Sequence, residues 1–332
     1  MALQTAPKHA KFFKTVDGTN YAYLFYRPKF DQLPTLLLLH GFPSSTWDWR
    51  RLLPLLVTTG VGIVAPDLLG YGGTDKPTDP SAYRMKRMSG HMIELLDHEK
   101  LPKVIGVGHD WGSGLLSRMA NYYPGYFIAL TFMALPYVPP IPVDFDAFNK
   151  EAKALLGCEI FGYWPVFNSD DGAMRIEQAH DTFQSIVFAK EEEHQKAHAA
   201  RAGGLDAWLK TGGTLPTYEW LSKEEMEIHA EILLGGGYTG PLNWYKQSMR
   251  GMNLEDEKGI PENARKLEVP TLFVACGRDV INNPILMLKM CDGWVRDLRV
   301  KVIDAGHWII LEAPTELAEV LKAFITDVTK QG

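Results

Sequence analysis

Cysteine is scarce in this chain of 332 residues: only Cys158, Cys276 and Cys291 occur. They form no CxxC pair and no Cys/His metal spacing, which argues against a zinc site or a disulfide framework. Cys276 ends an apolar strand pattern and Cys158 sits in an apolar stretch, so buried free thiols are expected. Basic clusters are missing too. Lys and Arg number 34 against 40 Asp and Glu, a formal net charge of −6. With no basic block, the chain lacks the electrostatic footprint of a nucleic-acid binder. No run approaches the ~20 apolar residues of a membrane span. The opening residues, Met1-Ala2-Leu3-Gln4-Thr5-Ala6-Pro7-Lys8, lack the apolar core of a secretory signal. The last four, Thr329-Lys330-Gln331-Gly332, carry neither a prenylation nor a peroxisomal signal. A cytoplasmic globular protein is expected, and there are no internal repeats.

What is present is an alternation of apolar runs with helical patterns. A hairpin over 11–29 turns at Asp17-Gly18. Strand patterns follow at 35–40, 62–65, 103–107, 127–134, 271–275 and 300–303, with helical patterns between most of them. Strands alternating with helices predict an α/β fold with a mostly parallel eight-stranded sheet covered on both faces. The interval 137–253 breaks the alternation. It opens on the rigid Tyr137-Val138-Pro139-Pro140-Ile141-Pro142, and helical patterns and glycine clusters follow, with no strand run. It reads as a helical cap inserted between the sixth and seventh strands. The core is then 1–136 together with 254–332.

Gly108-His109-Asp110-Trp111-Gly112 lies between a buried-strand pattern and a helix pattern. That is the context of a nucleophile elbow, a sharp turn whose flanking glycines leave no Cβ to clash. The usual occupant of the centre is serine, which serves acyl transfer. Here it is Asp110. A carboxylate is already ionised at neutral pH and can attack a saturated carbon to form an ester. Taken alone, the segment also fits an aspartate capping the next helix. His40-Gly41-Phe42-Pro43 ends an earlier apolar run. In this fold the loop there and the residue after the nucleophile each give a backbone N–H to an oxyanion hole, here Phe42 and Trp111. Asp279 follows the strand pattern at 271–275, and His307 follows the one at 300–303. The order nucleophile, acid, histidine is that of the α/β-hydrolase fold, with His307 as the base.

This set, with Gly306-His307-Trp308 and an expected Trp-rich helix (Trp47, Trp49, Leu52, Leu53) after the oxyanion loop, resembles the soluble epoxide hydrolase family. The likeness runs from about residue 12 to the C-terminus. The related microsomal enzymes carry an N-terminal membrane anchor and typically Trp where this chain has Phe42. The resemblance implies a short form without an N-terminal phosphatase domain. It also implies two cap tyrosines that hold the epoxide oxygen, matched by Tyr163 in Phe161-Gly162-Tyr163-Trp164 and by Tyr245 in Asn243-Trp244-Tyr245-Lys246. The implied activity converts an epoxide and water to a vicinal diol through an ester on Asp110, without metal or cofactor. Phe42, Trp111, Trp164, Ile281 and Trp308 are expected as substrate walls, favouring an apolar or aryl epoxide. A monomer or homodimer is expected. Two other readings stand beside this one. A haloalkane dehalogenase uses the same Asp nucleophile but lacks the tyrosine pair, and its closest representatives carry Asn at the Phe42 position. A non-catalytic ligand receptor on the same fold would have no use for Asp110, Asp279 and His307 together.

Overall fold

A computed structural model describes residues 6–142 and 144–330. The two chain ends that were read for targeting signals, Met1 to Thr5 and Gln331-Gly332, lie outside the described residues. The strands are β1 (Ala10–Lys14), β2 (Asn20–Tyr26), β3 (Thr35–Leu39), β4 (Gly62–Pro66), β5 (Val104–His109), β6 (Phe127–Met133), β7 (Thr271–Cys276) and β8 (Leu298–Ile303). They form one sheet in the order β1-β2-β4-β3-β5-β6-β7-β8. β2 pairs antiparallel with β1 and β4, and the remaining pairs are parallel.

The apolar runs are continuous because the central strands are covered on both faces. Leu37 and Leu39 of β3 face a layer that includes Met88, Met92, Leu115 and Leu116. Leu36 and Leu38 face the opposite layer, with Leu317, Leu321 and Phe324 of the helix Pro314–Lys330. Each such leucine, fully buried, contributes roughly 1.5–3 kcal/mol. The expected Trp-rich helix is instead a 3₁₀ turn, Thr46–Arg50, holding both tryptophans, followed by the separate short helix Leu53–Val57 that Pro54 starts. Among the described residues no helix is long and apolar enough to cross a membrane. Cys276 and Cys291 are buried free thiols, whereas Cys158 is only half-buried. The helix Phe145–Leu156 ends just before it at Gly157, whose left-handed φ of 79° closes the helix.

Between β6 and β7 the chain lays down a series of helices, from Phe145–Leu156 to Leu254–Lys258. Among the described residues of the insertion, one isolated bridge, Ala189 to Thr217, interrupts the helices. Both connections to the insertion are fastened to the helix Trp111–Tyr122, which follows β5. The buried Arg118 donates from Nε to Glu257 Oε1 at 2.6 Å and from Nη1 to the Val138 carbonyl at 2.7 Å. Asn121 donates to the Tyr137 hydroxyl at 2.8 Å and to the Ala264 carbonyl at 2.7 Å. One helix therefore holds the chain where it leaves the sheet and where it returns.

A buried ion pair that loses one partner leaves an uncompensated charge, so Glu257→Ala should cost about 3 kcal/mol. The exposed Glu255, paired with Lys258, provides the comparison, and Glu255→Ala should cost less than about 0.5 kcal/mol. Urea unfolding followed by tryptophan fluorescence measures both. Equal stability of the two variants would remove Arg118–Glu257 as the clamp.

Candidate active site

Asp110 sits at the tip of the turn between β5 and the helix Trp111–Tyr122, with φ 53° and ψ −122°. A non-glycine residue there is strained by about 1–3 kcal/mol, and the surroundings must over-determine it. They do. A Cβ on Gly112 would come within 2.1 Å of the Leu39 carbonyl oxygen, and one on Gly108 within 2.7 Å of the Ser113 backbone. Ser113 Oγ donates back to the Gly108 carbonyl at 2.8 Å. The glycines let β3, β5 and the helix approach closely enough to force the turn. A Cβ on Gly41 would lie 2.4 Å from the Asp110 side chain itself.

The loop after β3 comes up beside this turn. The Phe42 N–H donates to Asp110 Oδ1 at 2.8 Å, and the Trp111 N–H also donates to this carboxylate. His40 holds the loop from beneath. Its Nε2 accepts from the Leu68 N–H at 2.9 Å, so its Nδ1 carries the proton and donates to the Gly41 carbonyl at 3.0 Å.

Asp279 and His307 arrive from the ends of β7 and β8. His307 Nδ1 donates to Asp279 Oδ2 at 2.7 Å, and His307 Nε2 lies 3.7 Å from Asp110 Oδ2. Asp279 Oδ1 accepts the N–H groups of Ile281 and Asn282, each at 2.9 Å. Burial opposes a charged His307, but the Asp279 carboxylate and then Asp110 outweigh it and push the imidazole up to about 9. Burial raises Asp110 above the ordinary carboxylate range, while the His307 charge and the two N–H donors limit the rise. Asp279 is held below that range: burial opposes this, and the charge and hydrogen bond of His307 prevail.

Tyr163 and Tyr245 come from the helical insertion, and their rings meet edge to face with centroids 5.9 Å apart. Burial, with Asp110 nearby, raises both phenols, so each keeps its proton at neutral pH. Two chambers meet at Asp110, Tyr163, Tyr245 and Asn282. The larger, about 350 Å³, is lined by Trp111 and Trp164 with Met85, Phe145, Met287 and Met290. The smaller, about 100 Å³, is lined by Phe42, Ile281 and Trp308 with Phe167, Phe183 and His307. Every residue singled out in the sequence thus borders this space or touches Asp110 or His307. Among the described residues, no group of three or more His, Cys, Asp or Glu side chains could hold a metal ion.

Two participants escaped the sequence. Asn282 borders both chambers and anchors Asp279. His109 ends β5, and its Nε2 donates to the His307 carbonyl at 2.8 Å. Burial, aided by the charge of His307, lowers His109 to about 3, so it stays neutral. A polar ring closing an otherwise apolar strand was the available signal.

A sequence-family profile described as the alpha/beta hydrolase fold matches residues 34–156. The epoxide hydrolase srdG of Neurospora crassa is 30% identical over 334 residues, covering 96% of each chain. The bifunctional epoxide hydrolase 2 of Mus musculus is 31% identical over 294 residues, covering 87% of this chain, which spans about half (51%) of that protein's length. Among solved structures, an epoxide hydrolase from an endophytic Streptomyces superposes with a TM-score of 0.81 at 25% identity, covering 97% of this chain and 96% of the other.

The electrostatics of the triad can be measured directly. By NMR titration, the His307 imidazole should titrate near 9, well above the ordinary ~6.5. Its ion pairing should stabilise the fold fully below about pH 6.5 and cease to do so as pH rises through the folded-state value. Asp110→Asn should lower that value, since one of the two carboxylates is gone. An unchanged titration in Asp110→Asn would show that the two groups do not interact.

Proposed function

The chain belongs to the epoxide hydrolase family of the α/β-hydrolase fold, and on that premise we propose that it opens epoxides to vicinal diols through a covalent ester on Asp110. The observation that carries the residue assignment is the meeting of two protonated phenols and a strained carboxylate on one cavity. Opening an epoxide creates an alkoxide, a poor leaving group in a dry site, and a phenol can give it a hydrogen bond and then a proton. A dehalogenase has no need of such a pair.

Asp110 Oδ1 is held by the Phe42 N–H, which leaves Oδ2 as the attacking atom. Its electron pair forms the new C–O bond as the C–O bond of the epoxide breaks. The oxygen released takes a proton from Tyr163 or Tyr245. Esterification removes the Asp110 charge, one of the causes that keep His307 protonated. The imidazole then gives up its proton and the phenolate left by the transfer to the alkoxide takes one up, which restores the phenol and leaves a neutral base, with Asp279 still beside it. Neutral His307, oriented by Asp279, next takes a proton from water as that water attacks the ester carbonyl. The oxyanion forms on Oδ1, facing the N–H groups of Phe42 and Trp111. Collapse releases the diol, and the proton balance returns to carboxylate beside imidazolium. His109 holds the His307 loop, and Asn282 holds Asp279.

The walls favour an apolar or aryl epoxide with one large and one small substituent, matching chambers of about 350 and 100 Å³. We place the enzyme in the cytoplasm as a monomer or homodimer.

Two experiments test this reading. Single turnover in heavy-oxygen water should put the label in the Asp110 carboxylate, because water attacks the ester carbonyl; label in the first-turnover diol would exclude the covalent route. Tyr163→Phe and Tyr245→Phe should each slow ester formation, and the double change should nearly abolish it, non-additively, since both act on one oxygen. A double variant that alkylates at the parent rate would leave the triad intact but overturn the phenol roles.

A further inference from the structure

A third imidazole reaches the oxyanion loop, and it comes from the insertion. His229 lies in the helix Lys223–Gly236 and is 4% exposed. Its Nε2 is 2.9 Å from the Pro43 carbonyl oxygen. The Gln184 amide nitrogen donates to the Met226 carbonyl at 2.9 Å and contacts His229 Nδ1 at 3.0 Å. An amide nitrogen only donates, so Nδ1 must accept, and the proton sits on Nε2, aimed at Pro43. Burial lowers the imidazole from its ordinary value, in keeping with a neutral ring.

One turn earlier on the same helix face, Glu225 accepts from Arg50 and Arg51, each at 2.8 Å. Residues four apart share a face. This helix therefore docks on the sheet domain through Glu225 and on the oxyanion loop through His229. His40 grips the Gly41 carbonyl, which shares a peptide plane with the Phe42 N–H. His229 grips the carbonyl of the next residue but one. Phe42 is bracketed from both sides, with one clamp in the core and the other in the insertion.

We propose that His229 is a positioning residue for ester hydrolysis: by holding the Pro43 carbonyl it keeps the Phe42 N–H aimed at Asp110 Oδ1, so that the oxyanion hole is complete only when the insertion is docked. This rests on the covalent mechanism above. During alkylation Oδ1 loses charge, and during hydrolysis it gains charge. A loosened Phe42 N–H therefore penalises the second step more than the first.

The test uses styrene oxide as probe, with stopped-flow fluorescence and intact-protein mass spectrometry resolving the two steps. Removing an oxyanion donor outright costs ~10²–10³ in rate, so a displaced one in His229→Leu should slow ester breakdown by about tenfold. Alkylation should change by less than about threefold, so the ester accumulates. His229→Gln, whose amide can still donate to Pro43, should recover ester breakdown to within about threefold of the parent. Ile232→Ala, a buried change on the same helix, supplies a stability loss while leaving the His229–Pro43 hydrogen bond in place, and its partition between steps should match the parent. Should His229→Leu fail to fold, Gln184→Met removes the donor that fixes the tautomer and should shift the partition in the same direction. Equal slowing of both steps, no slowing, no recovery with Gln, or the same partition in Ile232→Ala would each overturn the proposal. His307→Gln separates the premise: ester that accumulates there supports the covalent route whatever His229 does, and its absence would fault the route itself.

Discussion

The structure turns on one buried carboxylate. A charge taken out of water must find partners, and the partners of Asp110 come from separate stretches of chain: the loop after β3, the first turn of the following helix, and the loop after β8. A second carboxylate, Asp279, stands behind the imidazole at 2.7 Å. Two negative charges around one ring explain why His307 is pushed up to about 9. On the proposed mechanism, esterification of Asp110 removes the smaller of the two carboxylate influences on His307, while Asp279 remains to orient the ring.

The sheet supplies this arrangement because parallel strands end together. β3, β5, β7 and β8 each deliver one participant from their C-terminal ends. The tight elbow is the costly element, and Gly41, Gly108 and Gly112 are what make it possible, since a Cβ at any of them would overlap backbone or the nucleophile itself. The same glycines that permit the strain also bring the Phe42 N–H within 2.8 Å of Oδ1. Strain and donor placement therefore have a common origin in close backbone approach.

Much of this was legible in the chain. Continuous apolar runs gave the doubly covered sheet, and turn residues at strand ends gave Asp110, Asp279 and His307 in order. Local patterns sufficed for these three because Asp110, Asp279 and His307 each lie within four residues of a strand end, whereas Tyr163 and Tyr245 lie in the insertion and were legible only through the family resemblance. What escaped depends on contacts between distant segments. Arg118 reads as an ordinary helix residue until Glu257, 139 positions away, is folded against it. His229 lies 186 positions from Pro43, and nothing in its own helix announces that partner. His109 was in plain view, but its role appears only when β8 brings the His307 carbonyl beside it. The chambers were legible as a list of aromatic walls, not as two volumes of different size meeting at the nucleophile.

On the proposed mechanism the two halves of the reaction divide between the two parts of the chain. The sheet domain would hold the nucleophile, the base and both oxyanion donors, which is all that ester hydrolysis requires in chemical terms. The insertion would supply Tyr163 and Tyr245 for ester formation. If the parts were independent, an undocked insertion would stop the first step and leave the second untouched. The Arg118 clamp argues against independence, because it ties both ends of the insertion to the helix that begins at the nucleophile. The Glu225 contacts with Arg50 and Arg51 argue against it from the opposite side of the loop. On the proposed mechanism the ester would form beside an oxyanion loop that the insertion already holds through His229.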